Sequence, residues 1–275
     1  MERLIYTVLP QLMLLVFGGL LGVWAILLRR ADLKLEKGAG RIGRLGAALY
    51  LLWLVGITVL QNQLPMLNPG QLAFFLGGLV WFGQCWVQRS VDQRLFALLP
   101  LLGVVLLLLA GLIMGLHPEA PAEQLLGWGA AIHVTLSLAG IALLLGCGVY
   151  GAGHVILHWN IRRRHFNAWF QRLPSLGDLD RLRRRSLVSG WVLVTVSLLS
   201  ALVWAARQPN DRDTIVSHLH PMILLAVILL ALVAADRFRV LSANKLAVGC
   251  VIMSAVVLSL LGVSVVEIFA GRGAA

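Results

Sequence analysis

The sequence is short of charge, and shorter still of acid. Only 13% of its 275 residues are Asp, Glu, Lys or Arg, about half the share carried by a soluble globular domain. With 59% hydrophobic residues, that deficit excludes an ordinary soluble fold. Acidic residues number 12 against 23 basic ones, a net charge of +11. In a soluble chain that imbalance would suggest nucleic acid, but here the basic residues fall in short stretches between apolar runs, as membrane topology requires. Cysteine is scarce as well. Cys85, Cys147 and Cys250 lie in three different apolar segments, a set that reads as neither a disulfide framework nor a cysteine metal site. There is no HExxH and no GxSxG, which removes the common zinc-hydrolase and serine-hydrolase patterns. The apolar runs are free of Asp, Glu, Lys and Arg, with Glu267 the closest case at the end of the last one. Ion-coupled transporters and proton pumps carry such residues near the bilayer midplane, so their absence counts against that class.

What is present is eight apolar runs: Ile5–Leu28, Leu45–Leu60, Gln71–Val87, Leu95–Leu116, Trp128–Leu157, Leu187–Ala205, Ile215–Ala234 and Leu246–Ile268. The expected architecture is an all-α polytopic membrane helix bundle of about eight transmembrane helices, one integral membrane domain over residues 1–275. The first run follows a nearly neutral MER and is long enough to span, so it reads as a membrane helix rather than a cleavable signal. Two runs are short for a span, and the loop between them, QNQLPMLNPG, leaves a re-entrant hairpin as the competing reading. Alternate loops, 29–44, 88–94, 158–186 and 235–245, hold 19 of the 23 basic residues. The positive-inside rule therefore predicts both termini outside a bacterial cytoplasmic (inner) membrane and these four loops in the cytoplasm. The longest, 158–186, mixes arginine with Trp159, Phe166, Trp169 and Phe170. It is expected to lie along the anionic leaflet, with membrane lipids rather than nucleic acid as its partner.

The fifth run organises the chain. Steps of three and four along WGAAIHVTLSLAGIALLLGCGVYGAGHVILH give Gly129, His133, Ser137, Gly140, Leu144, Cys147, Gly151, His154 and His158 on one helix face. That face is small or polar, which lets neighbouring helices approach closely in a membrane. It also carries a histidine about five residues into the span, roughly 7–8 Å below the outer edge. His218 and His220 enter the seventh run at similar depth, and His117 lies in the outer loop before the fifth. Imidazoles on two helices at one depth can hold a haem iron; the alternative is that they hydrogen-bond at the interface. His154 and His158 are expected to reach toward the inner headgroups beside Arg162, Arg163 and Arg164.

The segment IHVTLSLAGIALLLGCGVYG resembles the histidine-bearing helix of the cytochrome c assembly family of haem-handling membrane proteins. LPSLGDLDRL, WVLVTVSLLSALVW, HLHPMILLAVILLALVAADRFR and the final LSLLGVSVVEIFAG extend the resemblance over about residues 125–270. In size it is nearest the shorter, HemX-like members. The resemblance implies a b-type haem near the outer leaflet, held by His133 and His218. His220 and His117 are the further candidates for the second ligand position. It implies haem holding or delivery in support of cytochrome assembly, alongside other membrane proteins, rather than enzymatic turnover. The family's tryptophan-rich WWD signature is absent, and no histidine follows the last span, so direct ligation of haem to apocytochrome is not implied. The other reading is a structural membrane subunit or small-molecule permease without haem, using the small-residue face for packing.

Overall fold

The computed structural model describes residues 2–29, 33–62, 64–65, 68–88, 98–116, 128–164, 174–206 and 212–272, with the side chains of 28–29, 33–37, 87–88, 99, 128–130, 204–205, 212–222 and 260–272 outside that description. The described residues are 92% helical, with no strand. They form α1 (Leu9–Arg29), α2 (Leu33–Gln61), α3 (Pro69–Gln88), α4 (Leu98–Met114), α5 (Trp128–Arg162), α6 (Leu176–Ala206), α7 (Arg212–Arg237) and α8 (Ala243–Arg272). Among the described residues four stretches are long and apolar enough to cross a membrane: Leu4–Leu27, Gly38–Gln61, Ala131–Arg162 and Leu176–Val203. This is an all-α membrane protein. The chain packs as two compact units, residues 1–127 and 128–275.

In the first unit, α1 is preceded by a π-helical turn, Leu4–Val8. Pro10 accounts for it: proline lacks the N–H of a regular helix and its ring crowds the carbonyl four residues back, and the chain responds with the wider turn in which the Leu9 N–H reaches the Leu4 carbonyl. The core is aromatic. Phe17 meets Trp81 edge-on at 5.2 Å, and Trp53 meets Phe74 at 4.7 Å between ring centroids. The buried Tyr50 hydroxyl donates to the Phe75 carbonyl at 3.0 Å. The Asn68-Pro69 pair decides where α3 begins: the Asn68 side chain accepts from the Gln71 N–H at 2.7 Å, and Pro69 fills the first helical position, where no N–H is needed. Trp24 is buried in this core as well.

In the second unit, α5 packs most heavily on α6, with α8 against it as well. The small-residue face explains the closeness. A Cβ on Gly140 would lie 2.7 Å from Val194 Cγ2, and one on Gly190 would lie 3.0 Å from the Leu144 side chain. Toward α8, a Cβ on Gly151 would lie 2.7 Å from the Ala247 carbonyl oxygen. Helix α6 begins eleven residues before its apolar run. Ser175 caps it by accepting from the Asp178 N–H at 3.1 Å while donating to the Asp178 carboxylate at 2.7 Å. Residues 176–186, expected as loop, are therefore helical, as are 158–162 at the end of α5. Residues 165–173 of that segment lie outside the described residues. Helix α7 ends in a left-handed residue, Arg239 (φ 53°), with the Val240 N–H returning to the Ala235 carbonyl at 3.0 Å.

Candidate functional site

Two polar clusters interrupt the apolar packing of the second unit, one toward each end of α6. At the end formed by the start of α5 and the close of α6, His133 is half-buried and tied to Ser197 in a reciprocal pair. Its Nδ1 lies 2.8 Å from the Ser197 carbonyl oxygen, and the Ser197 hydroxyl donates to the His133 carbonyl at 2.9 Å. A carbonyl only accepts, so Nδ1 carries the proton, and the Ser197 Oγ 2.9 Å away lies beside that N–H. The Ser137 hydroxyl donates to Ser197 Oγ at 2.5 Å, and Ser200 donates to the Ser197 carbonyl at 2.7 Å. The ring is thereby fixed in one orientation and one tautomer. Nε2 keeps its lone pair and has no partner among the described residues. An imidazole held through Nδ1–H by a main-chain carbonyl and open at Nε2 is the form in which histidine binds a metal.

The other candidate ligands can be placed only in part. His218 and His220 both lie within α7, but their side chains fall outside the described residues, and His117 falls outside altogether. Among the described residues no three His, Cys, Asp or Glu side chains converge where a metal ion could be held. A haem iron asks for less, since the porphyrin supplies four ligands and the protein one or two.

The second cluster is the one the sequence did not disclose. Arg183, on the first turns of α6, is completely enclosed (0% exposed). Its Nη2 donates to Asp180 at 2.6 Å and to Asp236, near the end of α7, at 3.0 Å, while its Nε reaches Asp180 at 3.2 Å. Arg184 holds the other Asp236 oxygen at 2.8 Å. Arg183 Nη1 points at Cys250 Sγ on α8, 3.7 Å away, and Cys250 shares a buried cluster with Cys147 on α5. Two corrections follow. The helices do bury Asp and Arg, because α6 starts early enough to carry DRLRRR inside its first turns. The cysteines, scattered in sequence, are not scattered in space, since α5 and α8 bring two of them together. The signals that could have found this arrangement are the Ser175-x-x-Asp178 cap and the Asp180–Arg183 spacing of one helical turn.

His154 needs a third correction. It is buried (5% exposed) rather than reaching outward, lies within electrostatic range of Asp180 and Arg183, and its Nδ1 has no partner among the described residues. Trp159 does behave as an outward residue, half exposed with the Arg163 guanidinium 3.9 Å above its ring. The His133 and Arg183 clusters are separated by the fourteen residues from 183 to 197, about 21 Å along α6, so they are two sites. Comparison with known protein families, with curated proteins and with solved structures finds no match to this chain.

Proposed function

We propose that this chain is a haem-handling protein of the bacterial cytoplasmic membrane, crossing it eight times with both termini outside and holding a b-type haem near the outer leaflet. His133 Nε2 and His218 would hold its iron; the work of the protein is to hold or deliver haem in support of cytochrome assembly. The observation that carries this reading is the fixed His133 ring, protonated at Nδ1 by its bond to the Ser197 carbonyl, with no partner for Nε2 among the described residues. Such anchoring lowers the entropy lost on ligation and keeps the ring from turning its wrong nitrogen to the iron. Haem, when bound, would supply an iron centre whose properties are set by the residues that hold it. Of this chain's own residues, Ser137 and Ser200 hold Ser197, Ser197 holds His133, and the apolar helices around them exclude water.

Absorption spectroscopy of the purified protein tests it. A Soret band with low-spin character is expected. His133→Ala should abolish it, and His218→Ala should abolish it or leave a high-spin centre. His220→Ala and His117→Ala should leave it six-coordinate. Ser197→Ala should retain the band, because the main-chain carbonyl that holds Nδ1 remains. A low-spin spectrum unchanged in His133→Ala sinks the proposal.

A second reading, a structural subunit without haem, draws on the reciprocal Gly140–Gly190 approach, in which His133 and Ser197 serve to lock α5 on α6. A colourless protein whose His133→Ala variant loses helix-packing stability would favour it.

A further inference from the structure

Helices α5 and α8 run antiparallel at close range, and contacts on either side fix their register. Above, Ser254 Oγ donates to the Leu144 carbonyl at 2.8 Å. Below, Gly151 faces Ala247, where a Cβ would come within 2.7 Å of the carbonyl oxygen. Midway, Cys147 and Gly148 lie opposite Cys250, and a Cβ on Gly148 would lie 3.5 Å from the Cys250 carbonyl oxygen. Glycine thus brings the two backbones together at the level where each helix carries its cysteine. A disulfide needs such proximity, since its α-carbons sit about 4.4–6.8 Å apart. Cys147 and Cys250 belong to one buried cluster, and Arg183 Nη1 donates to Cys250 at 3.7 Å.

We propose that Cys147 and Cys250 form a reversible dithiol–disulfide centre oxidised by small neutral peroxides. The site speaks against a metal cation: a guanidinium stands beside Cys250, and among the described residues no third ligand is at hand. Burial selects the oxidant. With Cys147 and Cys250 only 2% and 1% exposed, no protein thiol can reach either sulfur, whereas hydrogen peroxide is small and uncharged. The nucleophile is a thiolate, and the guanidinium beside Cys250 is the group positioned to hold its charge. Cys250 is therefore the attacking sulfur. It bonds to one peroxide oxygen as the O–O bond breaks, and the departing hydroxide takes up the proton that left the thiol, giving water and a sulfenic acid. Cys147 then attacks the Cys250 sulfur; the S–OH bond breaks and the hydroxyl leaves with the Cys147 proton as a second water. Two thiols and one peroxide become one disulfide and two waters. An added dithiol returns the pair to its reduced form by exchange. The centre lies at the opposite end of α6 from His133 and does not depend on haem.

The test uses the full chain in membranes, reduced at the outset. Samples are treated with hydrogen peroxide, quenched in acid, dissolved in SDS and alkylated with a maleimide polymer that adds one mass step per free thiol. The untreated protein, with its three cysteines, should show three steps. After peroxide it should show one, from Cys85, and dithiothreitol should restore all three. Digestion without reductant should yield a peptide joining residues 147 and 250. Cys147→Ser should accumulate a dimedone-reactive sulfenic acid at Cys250, and Cys250→Ser should leave Cys147 alkylatable. Three steps persisting after peroxide, or a loss through irreversible acids without a cross-link, would overturn the proposal. So would dimedone labelling of Cys250→Ser at Cys147 with none in Cys147→Ser.

Discussion

Replacing Asp236 by asparagine isolates the buried charge network. In the native protein two guanidinium groups face two carboxylates, so the network is neutral. Asp236→Asn removes one negative charge while keeping size and an acceptor oxygen. Arg183, fully enclosed, is left with Asp180 alone; Arg184, 51% exposed, turns to water. Taking one partner from a buried ion pair costs about 3–5 kcal/mol. The retained acceptor and the Asp180 contact at 2.6 Å place this case at the lower end, ~3 kcal/mol, or roughly a hundredfold in the folding equilibrium. Arg184→Gln is the control, since an exposed partner contributes less than ~1 kcal/mol. The assay is unfolding by SDS titration in mixed micelles, followed by circular dichroism. Asp236→Asn should shift the midpoint strongly and Arg184→Gln barely. Equal shifts for the two, or no shift for Asp236→Asn, would refute the claim that Arg183 is paired out of water.

Three further outcomes are expected. Gly148→Ala places a methyl 2.1 Å from Ser254 Oγ and 2.4 Å from its Cβ, so α5 and α8 must part; overpacking of this kind costs about 1–3 kcal/mol, readable in the same titration. Asn68→Ala removes the α3 cap, about 1 kcal/mol, and hydrogen exchange at Gly70 and Gln71 should speed up while α1 is unaffected. A reporter fused after Ala275 should report the periplasm, and one inserted within 162–172 the cytoplasm; the reverse would invert the proposed orientation of every histidine.

Helix α5 was legible almost residue for residue, because its apolar content and small-residue face report the same thing: a helix that crosses and packs closely. Its start at Trp128 agrees with the sequence reading, and its end runs five residues past Leu157 to Arg162. Hydropathy fails where charge is buried by pairing. DRLRRR reads as loop when each residue is scored alone, and as helix once Asp180 is seen one turn before Arg183. The Cys147–Cys250 contact could not be read from spacing, since it depends on the register of two helices about a hundred residues apart. Helix α2 was under-read for a related reason. Its first turns, LKLEKGAGR, are too polar to register as a span, yet they continue the helix. The His133–Ser197 bond was half visible: the histidine drew notice, but the serine is one of several on α6 and only geometry selects it.

The pairing of Arg183 with Asp236 also sets an order of manufacture. Arg183 leaves the ribosome 53 residues ahead of its α7 partner, so it is made before that carboxylate exists. Asp180, three residues earlier on the same helix, is the only one of the two acids available at that moment, and it pairs with the arginine within one turn. The arrival of α7 then supplies the second acid and completes the network. The last of the buried charges is therefore neutralised only when the close of α7 reaches the start of α6.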